Sequence, residues 1–149
     1  MAYKIGIVLG VLFGLYITAF SLHIDPDEQR PGLRLTGDLA PQQATDWSFL
    51  SGRNKIYVQM STWYGIPHSI TTTSWVVDGV LHVPCGRCAT KNWPNHVARD
   101  DAVRLQVNGQ LYDRRALRIT EEAELRHALD LPTDAPLPEG VWVYRMTPR

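Results

Sequence analysis

Cys85 and Cys88, with Gly86 and Arg87 between them, are the two cysteines of a 149-residue chain. Four chemistries suit a lone Cys-x-x-Cys: a disulfide, a dithiol redox pair, half of a metal site, or two unrelated thiols. A thioredoxin-type pair wants a helix N-terminus and a βαβ setting. Here the helix signals begin some residues later, and the flanking segments alternate like antiparallel strands. Zinc would need two further ligands. His82 and His96 bracket the loop and make a Cys2His2 set conceivable, but the spacing matches no recognised finger and no metal is expected. Outside the cytoplasm a disulfide is the favoured state.

The remaining reactive side chains read more plainly. His68 stands at the start of a strand and His82 within one, and both suit hydrogen-bonded structural roles before general-base roles. There is no Ser-His-Asp order, no glycine-rich phosphate loop and no carboxylate pair, so no residue is assigned a catalytic role. Trp47 and Phe49 could form a ligand platform or plug the end of a small barrel. The plug is expected, because large aromatics bury. Asp113, Arg114 and Arg115 read as a solvated or dimer-facing strand surface.

These residues need strands to hold them. Ile56, Val58 and Met60 alternate with Lys55, Tyr57 and Gln59, the period of a half-buried strand. Ser69 to Val77 is β-branched and runs into Asp78-Gly79, a two-residue hairpin turn, after which Val80 to Val83 returns. Asn92 is placed to cap a helix with Pro94 in its first turn, ending near Asp100. Val103, Leu105 and Val107 alternate up to a second turn, Asn108-Gly109, and Gln110 to Ile119 returns. Thr120 is expected to cap a second short helix with acidic residues first and Arg126 and His127 last, as the macrodipole favours. Val141 to Met146 is the final strand, and a further short one is expected within Leu33–Thr36. About six strands in antiparallel hairpins with two short helices make a mainly β, α+β domain, best closed as a small barrel that leaves no long edges.

Composition sets the class of partner. Fifteen basic residues balance fifteen acidic ones, so nothing in the charge neutralises a phosphate backbone and nucleic acid is not an expected partner. The N-terminus differs in kind. Ile5 to Leu22 is eighteen residues without a charge, at the lower edge of what crosses a bilayer as a helix. Lys4 before it and the acidic residues after it put the N-terminus in the cytoplasm and the domain outside. The rival is a cleaved signal peptide with Ala19-Phe20-Ser21 as its processing site. The run is long for that and its basic start is weak, so an uncleaved single-pass anchor is expected. Residues 1–23 are thus read as the anchor, 24–45 as a proline-rich tether and 46–149 as the domain. Gly6, Gly10 and Gly14 fall four apart, on one helix face where a second helix can approach. The membrane is therefore one expected partner, and a second copy or a subunit of a membrane complex another.

From about Leu35 to Pro148 the order of elements resembles the FMN-binding split-barrel superfamily, the pyridoxamine-phosphate-oxidase-like group that includes deazaflavin-dependent nitroreductase-like enzymes. The resemblance is carried by Pro67-His68-Ser69, Asp78 to Val83, Lys91-Asn92-Trp93, Arg99 to Leu105, Val107-Asn108-Gly109 and Trp142 to Arg145. It implies a six-stranded split barrel, commonly dimeric, binding FMN or a deazaflavin near strand ends. It also implies site residues: Lys91 as phosphate ligand with Arg87 and Thr90 beside it, Thr71 and Thr73 toward the ring or ribityl chain, and Trp93 near the ring. The chain departs from the pattern at Ser61 to Pro67, which carries no cation where relatives usually have one. Two functions follow: a flavin- or deazaflavin-binding protein of oxidoreductase type, or a barrel without cofactor that serves as an accessory subunit docked by its glycine-faced helix.

Overall fold

In a computed structural model, which describes residues 2–41 and 43–149, the period-two pattern of the sequence becomes a closed barrel. The strands are β1 (Asp38–Leu39), β2 (Asn54–Met60), β3 (His68–Val77), β4 (Val80–Cys85), β5 (Ala102–Val107), β6 (Gln110–Arg118) and β7 (Trp142–Pro148). Their order is β6-β5-β2-β3-β4-β7, and β7 pairs back onto β6, so six antiparallel strands close on themselves. The short β1 adds outside this ring, parallel to β6, with Asp38 opposite Gln110. The expected short strand therefore falls at 38–39, while residues 33–36 contribute one isolated bridge, Arg34 to His23.

Alternation fixes which side chains fill the barrel. Ile56, Val58, Met60, Leu81, Val83, Val103, Leu105 and Val107 are all buried in one cluster. Each such aliphatic side chain contributes about 1.5–3 kcal/mol of burial free energy. Both predicted tight turns occur. Asp78 and Gly79 have φ of 49° and 76°, and Asn108 and Gly109 have 51° and 80°. Positive φ at both central residues is the geometry whose twist matches antiparallel strands.

The two barrel ends are closed differently. At the hairpin-turn end Trp47 is 2% exposed, packs edge-on against Tyr112 at 4.9 Å, and donates its amide to the Gly79 carbonyl. Phe49 touches Trp47 but stays 58% exposed, so the plug is Trp47 alone. At the opposite end α2 (Trp93–Arg99) buries Trp93, Pro94 and Val97. Asn92 precedes α2 in a helical conformation, and its side chain makes no capping bond. A third helix, α3 (Glu122–Ala128), covers the outside of the barrel over Ile119, Val143 and Trp75, with the Trp75 indole donating to the Ala128 carbonyl at 2.7 Å. Glu121, not Thr120, is the residue that precedes its first turn.

Two further sequence expectations change. Arg114 is not a surface residue: it is 1% exposed and its guanidinium lies beside the packed Trp47 and Tyr112 rings, 5.2 and 5.8 Å from their centres. Its guanidinium donates to Gln43 Oε1, to the Asp113 carbonyl and to the Ala44 carbonyl. Asp113 and Arg115 remain partly exposed and pair with Arg104 and Asp101. The segment expected as a tether, 24–45, packs on the barrel along much of its length. Asp27 and Arg30 form a tight turn, and Ile24 exchanges backbone hydrogen bonds with Leu33 and Arg34. Gly32 pairs with Ser69 of β3 in both directions, at 2.9 and 3.0 Å. A side chain at Gly32 would collide with the Ile24 carbonyl and with Pro26 N at 2.6 Å in the strap itself, as well as with the Ser69 hydroxyl at 2.6 Å, so only glycine lets the strap fold on itself while pairing with β3. Leu35 beyond it is 1% exposed.

The N-terminal helix α1 (Ala2–Ser21) contains an 18-residue window, Lys4–Ser21, long and apolar enough to cross a membrane, and none of that window is buried in the protein.

Candidate functional site

The end of the barrel that α2 closes carries an open cleft of about 580 Å³. This is within the usual range for a small-molecule site. Its walls come from three places: the 28–31 turn of the strap, the start of β3, and the stretch from Arg87 to Trp93.

The Cys85–Cys88 loop supplies one wall. The two sulfurs are joined as a disulfide across a Cα separation of 5.3 Å, and both cysteines are buried. Arg87 between them takes a left-handed backbone, φ 49° and ψ 45°. That conformation costs a non-glycine residue on the order of 1 kcal/mol, and its neighbours hold it. The Thr90 amide and hydroxyl both donate to the Arg87 carbonyl, at 3.1 and 2.8 Å. The Cys88 amide donates to the Gly140 carbonyl, and Lys91 donates its amide to Cys88. The loop thus projects the exposed Arg87 and Lys91 side chains into the cleft. Trp93 follows, 6% exposed; its ring packs 5.0 Å from Tyr144, so it is a core residue that presents only a margin to the cleft.

Four of the six expected site residues meet here: Arg87, Lys91, Thr71 and Trp93. Thr90 and Thr73 do not line the cleft. Thr90 positions Arg87 by its hydroxyl, and Thr73 is exposed farther along β3, opposite Lys55. The strap brings residues that the sequence placed elsewhere. Arg30 is a third cation in the lining, and Glu28, with φ 43°, adds a carboxylate. Their signal lay in Pro26 and Pro31-Gly32, which stiffen a turn at this point, but nothing local says where that turn lands. His68 also lines the cleft, with the His96 ring 5.8 Å away. Burial, and then the nearness of His96, hold the His68 imidazole below its ordinary value of 6.5. Burial and then Arg99 do the same to His96.

Electrostatically the cleft sets three cations against one carboxylate. Its floor contains an unmet demand: the Thr71 hydroxyl is buried and has no hydrogen-bond partner in the protein. A buried hydroxyl without a partner costs about 1–3 kcal/mol, a cost that a polar ligand would relieve. The donor set, three cationic side chains and a threonine hydroxyl, suits a phosphorylated group, and Ile70, Pro31 and the Trp93 margin suit a flat apolar one. Other features do not converge on a reaction centre. His82 rests its Nδ1 on the Val80 carbonyl, stacks on Trp75 at 6.2 Å, and burial lowers its affinity for a proton. Among the described residues no three His, Cys, Asp or Glu side chains gather as a metal site would need.

No protein-family model and no curated protein sequence matches the chain. Solved structures do. A protein of Bacteroides thetaiotaomicron, described as a 5-nitroimidazole antibiotic resistance protein, superposes with a TM-score of 0.52 at 13% identity, over 83% of this chain and 90% of that one. A Listeria innocua protein described as a pyridoxamine 5'-phosphate oxidase gives 0.48 at 15% identity over 64% and 83%. A conserved hypothetical protein of Mycobacterium tuberculosis gives 0.48 at 14% over 74% and 86%. Likeness at this identity speaks to fold. With six antiparallel strands closed by β7 on β6 and a helix over one end, the chain is a split barrel carrying an N-terminal apolar helix.

Proposed function

We propose that this protein binds a phosphorylated cofactor of the flavin type, FMN or a deazaflavin, in the cleft between the strap and the Cys85–Cys88 loop. The observation that carries the reading is the cleft's donor set: Arg30, Arg87 and Lys91 around a buried, unpartnered Thr71 hydroxyl. Arg87 and Lys91 would hold phosphate, with Arg30 closing on it from the strap. Thr71 would satisfy a polar atom of the ligand, and Ile70 and Trp93 would bound its flat face. A flavin-type ring supplies electron and hydride transfer when bound, while the protein's part is to orient and shield it. An oxidoreductase is the activity this reading implies. The helix α1 would hold the barrel at a membrane as a single-pass anchor, with the N-terminus cytoplasmic and the domain outside.

The test is titration of the purified full chain with FMN and with a deazaflavin, followed by fluorescence quenching. A charge-assisted hydrogen bond contributes about 1.5–3 kcal/mol. Lys91→Ala, Arg87→Ala and Arg30→Ala should therefore each weaken binding about tenfold or more. Arg115→Ala, on an exposed stretch of β6 paired with Asp101, should leave it unchanged. If neither cofactor binds the unmutated protein at about 100 μM, far above ordinary cofactor affinities, the reading fails.

A second reading is favoured by one observation. A side chain built at Gly6, Gly10 or Gly14 meets nothing within 4 Å, so the glycine face of α1 is bare. Such a face supports an accessory subunit, or a homodimer, whose helix packs against another in the membrane. Gly10→Ile should then reduce co-purification of the partner helix and leave insertion intact.

A further inference from the structure

We propose that the β2–β3 loop, residues 61–67, is a wedge that sits in the phospholipid headgroup layer beside α1. The inference rests on the reading of α1 as a membrane helix. The loop is a closed turn: the Gly65 amide donates to the Thr62 carbonyl at 3.1 Å, and the Thr62 hydroxyl donates to the Ile66 carbonyl at 2.7 Å. Its tip projects two aromatics. Trp63 is 73% exposed and Tyr64 42%, with their rings edge to face at 5.3 Å. An exposed tryptophan at a loop tip gains nothing from the barrel, and its apolar ring with one N–H suits a membrane–water interface.

What covers it follows from the neighbouring helix. The Tyr16 hydroxyl donates to the Tyr64 carbonyl at 3.0 Å, and the Tyr16 oxygen lies against Gly65, where any side chain would collide with it. Tyr16 belongs to the apolar window and stands five residues before the end of α1 at Ser21. At about 1.5 Å per residue the contact lies roughly 7–8 Å along the axis inside the helix end. That matches the roughly 5–10 Å to which the apolar face of an interfacial helix enters the headgroup–acyl boundary, the zone beside which Trp and Tyr are enriched. The water side of the wedge is cationic. The Arg34 guanidinium lies 5.1 Å over the Phe20 ring, and Arg34 and Arg149 border a shallow recess with Ser61. Arg104 there is paired with Asp113, and the Asp100 carboxylate, which accepts from the Ala102 amide, keeps its charge, so the recess has a surplus of one cation. A surplus cation beside an aromatic tip suits an anionic phosphodiester headgroup.

The experiment uses the full chain in phosphatidylcholine–phosphatidylglycerol vesicles with bromine at the 6,7 or the 11,12 acyl positions. Bromine quenches tryptophan on contact. Tryptophan emission should be quenched more by the shallow label, and Trp63→Phe should abolish that difference; as Trp63 is exposed, the variant keeps the fold. Alkaline carbonate extraction is run on the same vesicles. Protein that resists extraction yet shows equal quenching with and without Trp63 overturns the wedge alone and leaves a protein partner as the occupant of the tip. Protein released by carbonate overturns the membrane reading of α1 and the wedge with it.

Discussion

Arg114 is a buried cation inside the barrel, set beside Trp47 and Tyr112. Its place in the barrel follows from period two, since Tyr112, Arg114 and Ala116 all turn inward. A sequence reader assigns a charged residue to the outside because burying a cation needs acceptors, and here these come from Gln43 and Ala44, some seventy positions away. Burial pushes the guanidinium below its usual range, opposed by Tyr112 and Asp113. Arg114→Ala would leave those acceptors unpaired behind an emptied space next to Trp47. It should destabilise the protein by about 1–3 kcal/mol, the cost of leaving buried hydrogen-bond acceptors without a partner, as read by urea denaturation in mild detergent. A change below about 0.5 kcal/mol, the usual surface value, would mean that the guanidinium contributes little. The cleft residues were legible to a different degree. Lys91, Arg87, Thr71 and Trp93 were named only through the resemblance to split-barrel proteins, whereas Arg30 could be found only once the strap had been placed.

At the scale of elements, the hairpins and the helix over the barrel end were readable because each depends on local chemistry: Asp-Gly, Asn-Gly, and Pro in a first turn. The Cys85–Cys88 loop was only half readable. The spacing allowed a disulfide, but nothing in it said that Arg87 would be held left-handed between the sulfurs and that the Thr90 hydroxyl would pin it. A crosslink closing so short a loop stabilises by about 2 kcal/mol through the unfolded state. Adding dithiothreitol should therefore lower the urea midpoint by an equivalent amount. It should also weaken FMN titration, because Arg87 and Lys91 lose their fixed base. An unchanged midpoint, together with two alkylatable thiols in protein taken directly from cells, would show that the bond does not form there.

At the scale of the whole molecule, three histidines share one tendency. His68, His82 and His96 are each held below their ordinary value of 6.5, with burial the first cause. The unfolded chain then binds protons that the folded one refuses. Stability should be full above about pH 6.5, where both states are neutral, and should fall as pH drops below it. Urea midpoints measured from pH 7.5 to pH 5 test this, and a flat profile would contradict it. The proposal that α1 is an uncleaved anchor is tested on the whole molecule. Intact mass of protein extracted from membranes should retain Met1 or Ala2, and a mature N-terminus at Leu22 would show processing instead. The strap between α1 and the barrel was the least legible part. Its prolines read as a spacer, because a sequence shows stiffness but not the distant strand, here β3, on which the stiff piece will rest.

The closing seam of the barrel has a consequence in time. β7 supplies ladder partners to both β4 and β6, from Leu81 opposite Met146 to Arg118 opposite Tyr144. Until β7 has been synthesised, β4 and β6 each present an unpaired edge, and exposed edges invite pairing with other chains. The ring therefore cannot form during translation of its first five strands. It forms late, when β7 joins β4 about sixty residues back and β6 about thirty residues back, the kind of long-range closure that makes barrels slow to fold. A nascent chain whose apolar helix has already engaged a membrane would wait out that interval tethered apart from its neighbours.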